Sequence, residues 1–411
     1  MNDQPVLIAG GGPVGLLLAL ALARRGVAVR LFEAAETIND APRASTLHPA
    51  TLEMLATLGL LEDVIAQGLV ARTFQFWDRP TRRVIAEFDH AILAEVTDVP
   101  FVVQCEQHKL ARLCLERLKA FPQVEVTFAA SVEAIAAFED RVEIEVQTST
   151  GREKVTGCYL VGADGGRSTV RKSLGIAFEG YTFPERFLVL TTPFDFAGQH
   201  GVAFRAYFSD PDEWANLFKV AGDDGRGRWR AVFPALPGQT DEEVLDEAAT
   251  EARLQKFFPK SGKYEIFHRN IYKVHQRVAA SFREGRVFLA GDSAHVNNPI
   301  GGLGLNCGVH DAMQLAGQLA AVLLEGRPES ELSEYDSIRR PMNIEYVQQQ
   351  TIANKKRLEE KDPAAREANF DHLRRTAADP AAHRGFLMRT SLLESVRKNA
   401  ARLNASDKAI S

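Results

Sequence analysis

The chain has 411 residues, 45% hydrophobic and 25% charged, with a formal net charge of −5. That composition supports a large core divided over two or three subdomains. It contains no basic run of the kind that binds nucleic acid or an anionic membrane. The four cysteines, Cys105, Cys114, Cys158 and Cys307, form no CxxC pair. This argues against a zinc site and a disulfide framework and fits reduced thiols in a cytoplasmic protein. The most apolar run, Val14 to Ala23, is about half the length that spans a bilayer, and "MNDQP" lacks the basic segment of a signal peptide.

In "PVLIAGGGPVGLLLALALARRGVAVRLFEA" the pattern predicts strand, glycine turn, helix and strand. Val6 to Ala9 is β-rich, Gly10, Gly12 and Gly15 make G-x-G-x-x-G, and Val14 stands inside that fingerprint. An apolar helix follows, and Val27 to Phe32 is a second strand ending at Glu33. Gly10 permits the tight turn, Gly12 lets backbone approach a pyrophosphate, and Gly15 lets the helix pack close to the strand. The helix N-terminus presents free N–H groups and partial positive charge to phosphates. A carboxylate at Glu33 suits ribose hydroxyls and repels a 2′-phosphate, so the expected ligand is FAD or NAD rather than NADP.

"YLVGADGGRSTVRKSLG" predicts another buried strand, here ending in Asp164-Gly165, with a helix start near Ser168. "GRVFLAGDSAHVNNPIGGLGLNCGVHDAMQLAGQLA" repeats that grammar, since its strand Val287 to Ala290 delivers Asp292 to a sheet edge. A carboxylate there suits sugar or ribityl hydroxyls. Pro299 fixes the loop, Gly301, Gly302 and Gly304 bring backbone N–H groups against a flat group, and a helix from about Leu305 aims its positive end at the same place.

The order GxGxxG, DG, GD resembles the single-component FAD-dependent aromatic hydroxylases of the p-hydroxybenzoate hydroxylase fold. The resemblance rests on "GGGPVG" with Glu33, "APRASTLHPATLEML", "EQHKLARL", "GADGGRSTVR" and the "GDSAHVNNPIGGLGLN" stretch, and covers Val6 to about Arg340. It implies an α/β protein with a Rossmann-like FAD-binding domain (1–73, 98–175 and 281–330), a β-sheet substrate domain (74–97 and 176–280) and a helical C-terminal region (331–411). It implies that Gly10, Gly12 and Gly15 hold the pyrophosphate and Glu33 the adenosine ribose. Arg43 would lie beside the pyrophosphate and ribityl chain, Gln107 at the ribityl region, and Val132 at adenine through its backbone. Asp164 would support the FAD site and the pyridine nucleotide path, Asp292 the ribityl and pyrophosphate region, and Pro299 the reactive flavin edge. Leu305 and Asn306 would meet the pyrimidine end through backbone, with Gly302 and Gly304 in the same seat.

The implied activity is NAD(P)H- and O2-dependent hydroxylation of a small phenolic or heteroaromatic ring through a flavin C4a-hydroperoxide. NADPH or NADH is the co-substrate and no metal is involved. Alternatives on the same scaffold are a flavin-dependent reductase, a dehalogenating hydroxylase, or a non-catalytic FAD-binding assembly protein. No Ser/His/Asp or Cys/His arrangement stands out.

Between Gly175 and Ser281 the runs "RFLVLTTPFDF", "GVAFRAYFSD", "WANLFKV" and "RWRAVFPAL" predict strands, and Asp241 to Phe258 predicts one helix capped by Thr240 or Asp241. Arg205, Tyr207, His200, His268, Tyr272 and His275 are candidate pocket residues alongside Pro299. His275, just upstream of the GD motif, is the candidate for proton handling. The tail beyond Gly326 predicts amphipathic helices, with Phe386, Leu393 and Val396 on one face, packed on the FAD domain or a second subunit. A monomer or homodimer is expected.

Overall fold

The computed structural model of the chain describes residues 4–41, 43–236 and 238–400. Residues 401–411, the end of the expected helical region, lie outside the described residues.

The strands Val6–Ala9 and Tyr159–Gly162 are apolar along their whole length because they are buried on both faces of a parallel sheet. The sheet has six strands in the order Arg283–Glu284, Val287–Leu289, Tyr159–Gly162, Val6–Ala9, Val29–Phe32 and Val124–Thr127. All its pairings are parallel except the hairpin at the Arg283–Glu284 edge. Parallel strands put their carboxyl ends on one edge, so Gly10, Glu33, Asp164 and Asp292 arrive together. The helices Pro13–Ala23, Gln107–Leu118 and Gly304–Glu325 cover the sheet.

A second sheet of eight strands runs His295–Val296, His268–Ala279, Phe178–Thr192, Arg228–Pro234, Ala215–Val220, Arg205–Ser209, Thr73–Asp78 and Arg83–Asp89. Its period-two alternation separates two apolar layers. Phe74, Phe76, Tyr207 and Val232 face one layer, and Trp77, Phe208, Trp229 and Phe233 face the other. The strand Val287–Leu289 belongs to the first sheet and His295–Val296 to the second, so the segment carrying Asp292 stitches the sheets together.

Two readings of the sequence change here. Asp241 to Phe258 is two helices, Asp241–Leu245 and Glu247–Phe257, because Asp246 adopts an extended backbone and caps the second through Ala249 N at 2.8 Å. Thr240 caps the first in a capping box with Glu243. The C-terminal tail divides: helix Ser333–Asn343 packs on the parallel-sheet domain as expected, with Tyr335 in its core and donating to Leu289 O at 2.7 Å, whereas Gln349–Leu358, Pro363–Ala378 and Pro380–Thr390 pack on the eight-stranded sheet. Leu358, Leu373, Leu387 and Leu393 share a core cluster with Phe74 and Tyr207, and Phe386 and Val396 pack against it.

The long helix is anchored by a buried polar knot. Asp311 Oδ2 accepts from Gly291 N at 3.1 Å and pairs with His295 Nε2 at 2.7 Å, while Oδ1 accepts from Arg339 Nε at 2.8 Å. Burial alone would raise the Asp311 carboxyl, but His295 and Arg339 outweigh it and hold the group below its ordinary range. Arg339 Nη2 also reaches Cys307 Sγ at 3.3 Å, so a guanidinium fills the space between this carboxylate and thiol.

Asp311→Asn strands the buried Arg339 charge and is expected to cost about 3–5 kcal/mol at pH 7 by urea denaturation. A depressed carboxyl contributes stability above its unfolded pKa and loses it as pH falls through the folded one. The gap between wild type and variant should therefore close only below the usual carboxylate range.

Candidate active site

The fingerprint glycines differ in what surrounds them. A Cβ on Gly10, which has φ +110°, would overlap the Ala163 carbonyl, and one on Gly15 would overlap the Gly10 carbonyl. A Cβ on Gly12 would meet nothing within 4 Å. The first and third glycines thus close protein against protein, while the second borders open space at the helix N-terminus, where first-turn N–H groups have no partner within the helix. Glu33 is held at the same edge, accepting from Gly11 N at 2.5 Å and Ala35 N at 2.8 Å. Ala130 N donates to Glu33 O at 2.9 Å, which brings the run leading to Val132 alongside. Val14 packs into a notch in the GD segment, since a Cβ on Gly291 would lie 3.0 Å, and one on Gly308 2.6 Å, from its Cγ2.

Two carboxylates face this cleft with unused capacity. Asp164 Oδ2 accepts from Val170 N at 3.1 Å, while buried Oδ1 has no partner. Asp292 is exposed on the cleft, with protein close around it. That enclosure raises its carboxyl above the ordinary range, opposed by His295 and by Arg43. Arg43 is exposed, and its carbonyl accepts from Arg230 Nη1 at 2.7 Å. Gln107 opens its helix and donates through N to Ala44 O at 2.9 Å. Open space beside Gly12, an orphaned acceptor on Asp164 and the opposite charges of Asp292 and Arg43 at the same edge match the phosphate and polyol parts of FAD.

The Gly-rich loop is more constrained than the sequence indicates. Pro299 is exposed and its carbonyl accepts from Gly302 N at 3.0 Å, closing a turn. Gly302 has φ +67°, and a Cβ there would lie 2.7 Å from Thr46 Cβ, so strand Thr46–Leu47 requires this glycine. A Cβ on Gly304 would lie 3.0 Å from Asn297 Oδ1. Leu305 is buried in the first core, leaving its backbone at the helix start. The Asn306 side chain is internal glue, since Nδ2 donates to Thr46 O at 2.8 Å and Gly302 O at 2.6 Å and Oδ1 accepts from His48 N at 2.8 Å.

A narrow cavity of about 20 Å³ lies between this loop and the large sheet. Phe74, Phe76, Arg205 and Tyr207 line it from the sheet, Ile300 and Gly301 from the loop, and Gln350, Asn354, Leu358, Phe386 and Thr390 from the C-terminal helices. Arg205 and Tyr207 are therefore brought to one place. His275 is not. It is exposed on the face of its strand opposite Val274 and Gln276, and Thr182 Oγ1 lies 2.8 Å from its Nδ1. Desolvation, then Arg277, Lys273 and Arg167, lower its pKa, and it does not border the cavity. His200, His268 and Tyr272 also lie outside the lining, and Pro299 itself is one residue short of it.

The sequence reading missed His48. It is buried, and its Nε2 donates to Gly301 O at 2.9 Å, which leaves Nδ1 unprotonated and without a partner. Burial and then Arg205 push its pKa well below the usual range, so the ring is neutral. Its signal was a histidine inside "RASTLHPATLEML", next to a proline-started helix.

The FAD binding domain family matches residues 3–350. A para-nitrophenol 4-monooxygenase of Pseudomonas sp. strain WBC-3 is 34% identical over 384 residues, which covers 93% of this chain and 94% of that protein. The chain belongs to the FAD-dependent aromatic monooxygenases. The 6-hydroxy-3-succinoylpyridine 3-monooxygenase HspB of Pseudomonas putida is 35% identical over 88% of this monooxygenase and 90% of its own length. The crystal structure of p-nitrophenol 4-monooxygenase from Pseudomonas putida DLL-E4 superposes with a TM-score of 0.89 at 34% identity, covering 94% and 96% of the two chains. The family match ends at residue 350, where the C-terminal wall of the cavity begins.

The glycine surroundings predict opposite outcomes for two alanine variants. Gly15→Ala should destabilise the apoprotein by about 1–3 kcal/mol. Gly12→Ala should leave its denaturation midpoint unchanged and weaken FAD binding, read by fluorescence titration. Asp292 gives a second contrast. Its side chain is exposed and holds no protein partner among the described residues, so the fold does not depend on its charge. Asp292→Asn should therefore leave apoprotein stability at pH 7 unchanged or higher while costing about 1.5–3 kcal/mol of FAD binding.

Proposed function

We propose that this monooxygenase uses NAD(P)H and O2 to hydroxylate a small phenolic or heteroaromatic ring seated in the cavity between the Ile300–Gly301 loop and the eight-stranded sheet. The observation that carries this is the joining of an aromatic-walled cavity to the loop that closes the dinucleotide cleft. FAD, when bound, supplies hydride acceptance and activation of dioxygen.

The chain's own residues bind, orient and exclude water. The backbone at Gly10, Gly12, Val14 and Gly15 would receive the pyrophosphate, Glu33 the adenosine ribose, and the Val132 backbone the adenine. Asp164, Asp292, Arg43 and Gln107 would hold the polyol and phosphate region. Pro299, Gly302, Gly304, Leu305 and Asn306 would present backbone to the ring end of the cofactor, with the positive end of helix Gly304–Glu325 available to stabilise negative charge there. His48 and Asn306 fix that loop from behind. Phe386 and Leu358 close the cavity on the side away from the sheet and keep water out. The four free, buried cysteines fit a reducing cytoplasm, and the assembly is a monomer or homodimer. Among the described residues no helix is long and apolar enough to cross a membrane.

The reading is tested by adding small phenols and heteroaromatic acids to the FAD-loaded protein and following NAD(P)H oxidation with ¹⁸O2. Label in a ring hydroxyl is the expected result, and unstimulated oxidation without labelled product across the panel would count against it. Phe386→Ala should keep FAD but yield more hydrogen peroxide and less hydroxylated product per NAD(P)H, with the melting temperature recorded on the same preparation.

A further inference from the structure

The ring cavity has room for about one water molecule, so a ring enters only by displacing a wall. The sheet side is fixed, because Tyr207 and Phe76 are register partners in adjacent strands and their rings stack at 5.3 Å. The loop side is held by His48 and Asn306. The C-terminal side is one helix face, with Gln350, Asn354 and Leu358 spaced four residues apart and Phe386 and Thr390 beside them. That helix follows the π-helical turn Ile344–Gln348, a local irregularity of the kind that recurs at functional sites. The C-terminal side is therefore the wall that yields.

The polar side chains along this wall have partners, with one exception. Gln348 Nε2 donates to Val296 O at 3.1 Å. Gln276 Nε2 donates to Thr351 Oγ1 at 3.0 Å, and its Oε1 accepts from Asn298 N at 3.0 Å. Asn354 Oδ1 accepts from Arg357 Nη1 at 3.3 Å. Gln350 Oε1 is buried and has no partner among the described residues. No other side chain lining the cavity leaves a buried polar atom in that state. A buried acceptor without a donor is uncommon, because it has lost its water and gained nothing in return. Gln350 stands in the first turn of its helix, so the backbone fixes where this oxygen meets the cavity.

We infer that Gln350 is a specificity-determining residue whose Oε1 accepts a hydrogen bond from an O–H or N–H carried by the aromatic ring. The inference rests on the reading of this cavity as the substrate site. When a ring displaces the wall, packing at Leu358 and Phe386 is lost and the hydrogen bond at Gln350 is gained. A ring with a donor therefore opens the cavity more readily than a ring of the same shape without one. Hydroxyl and amino groups also make a ring electron-rich, so the contact selects rings that an electrophilic oxygen donor can attack.

The test uses FAD-loaded enzyme without NAD(P)H and the perturbation of its visible spectrum on binding. The probes are hydroquinone, 4-methylphenol and p-xylene at pH 7, where the phenols are un-ionised and methyl replaces hydroxyl at nearly the same size. Hydroquinone should bind roughly tenfold or more tightly than p-xylene. Gln350→Met should cut that ratio by about tenfold and leave the affinity for p-xylene unchanged. Gln350→Glu, which keeps an acceptor oxygen, should retain the preference for donor-bearing rings. Gln350→Met should also hold or raise the urea midpoint of the ligand-free holoenzyme, because it removes an unsatisfied oxygen. No preference in wild type, no binding of any probe, or an undiminished preference in Gln350→Met would overturn the inference. So would a lowered midpoint, or a change in Gln350→Met that moves all three probes together, since either marks a purely structural side chain. Phe386→Ala separates the two layers of argument. If it shifts all three affinities by a common factor, the cavity is the ring site whatever Gln350 does. If it leaves every probe unchanged, the cavity reading itself fails.

Discussion

The close approach of the first helix to the ends of three strands is the constraint on which the site depends. Gly10 and Gly15 remove the side chains that would hold helix and strand apart, and Gly291 and Gly308 leave the notch that Val14 fills. These contacts bring the segments carrying Glu33, Asp164 and Asp292 to one cleft. A β-carbon at any of the four positions would move a whole segment, because protein interiors are too densely packed to absorb it locally. The Asp311 knot then ties the GD segment to the long helix and, through Arg339, to the C-terminal region.

The cofactor half was legible in the sequence because its determinants are local. A glycine spacing, a strand that stops at an acid and a proline–glycine loop each encode their geometry within about ten residues. The ring half was less legible. Around His275 the sequence shows a strand but not its phase, and one step of register puts Val274 and Gln276 inward and His275 outward. At Gly302 the missing side chain could be seen, but not that Thr46 is what it avoids. The amphipathic pattern of Phe386, Leu393 and Val396 showed that a face is buried. What covers it, the strands of Phe74 and Phe88 about 300 residues earlier, is a tertiary fact.

The division of labour follows from this arrangement. The parallel sheet supplies backbone donors and carboxylates, which suit a large polar cofactor. The antiparallel sheet supplies aromatic rings and one cation, which suit a small ring. The loop from Pro299 to Gly304 borders both and is held from three sides by Thr46, His48 and Asn306. No protein nucleophile is needed, so residues that touch the ring are free to serve recognition.

The walls of the ring cavity come from residues near 75, 206, 300, 354 and 388. A chain made from its N-terminus therefore completes its dinucleotide cleft well before its ring cavity. Until the helix Pro380–Thr390 has left the ribosome, Phe74 and Phe88 lack the Phe386 ring that packs on them. Synthesis leaves this aromatic sheet face only partly covered for the time needed to add about 100 residues after the Asp292 segment, several seconds at ordinary elongation rates. During that interval early FAD binding would steady the first sheet but leave this face partly covered, so the nascent chain's exposure to aggregation is set by its C-terminal helices.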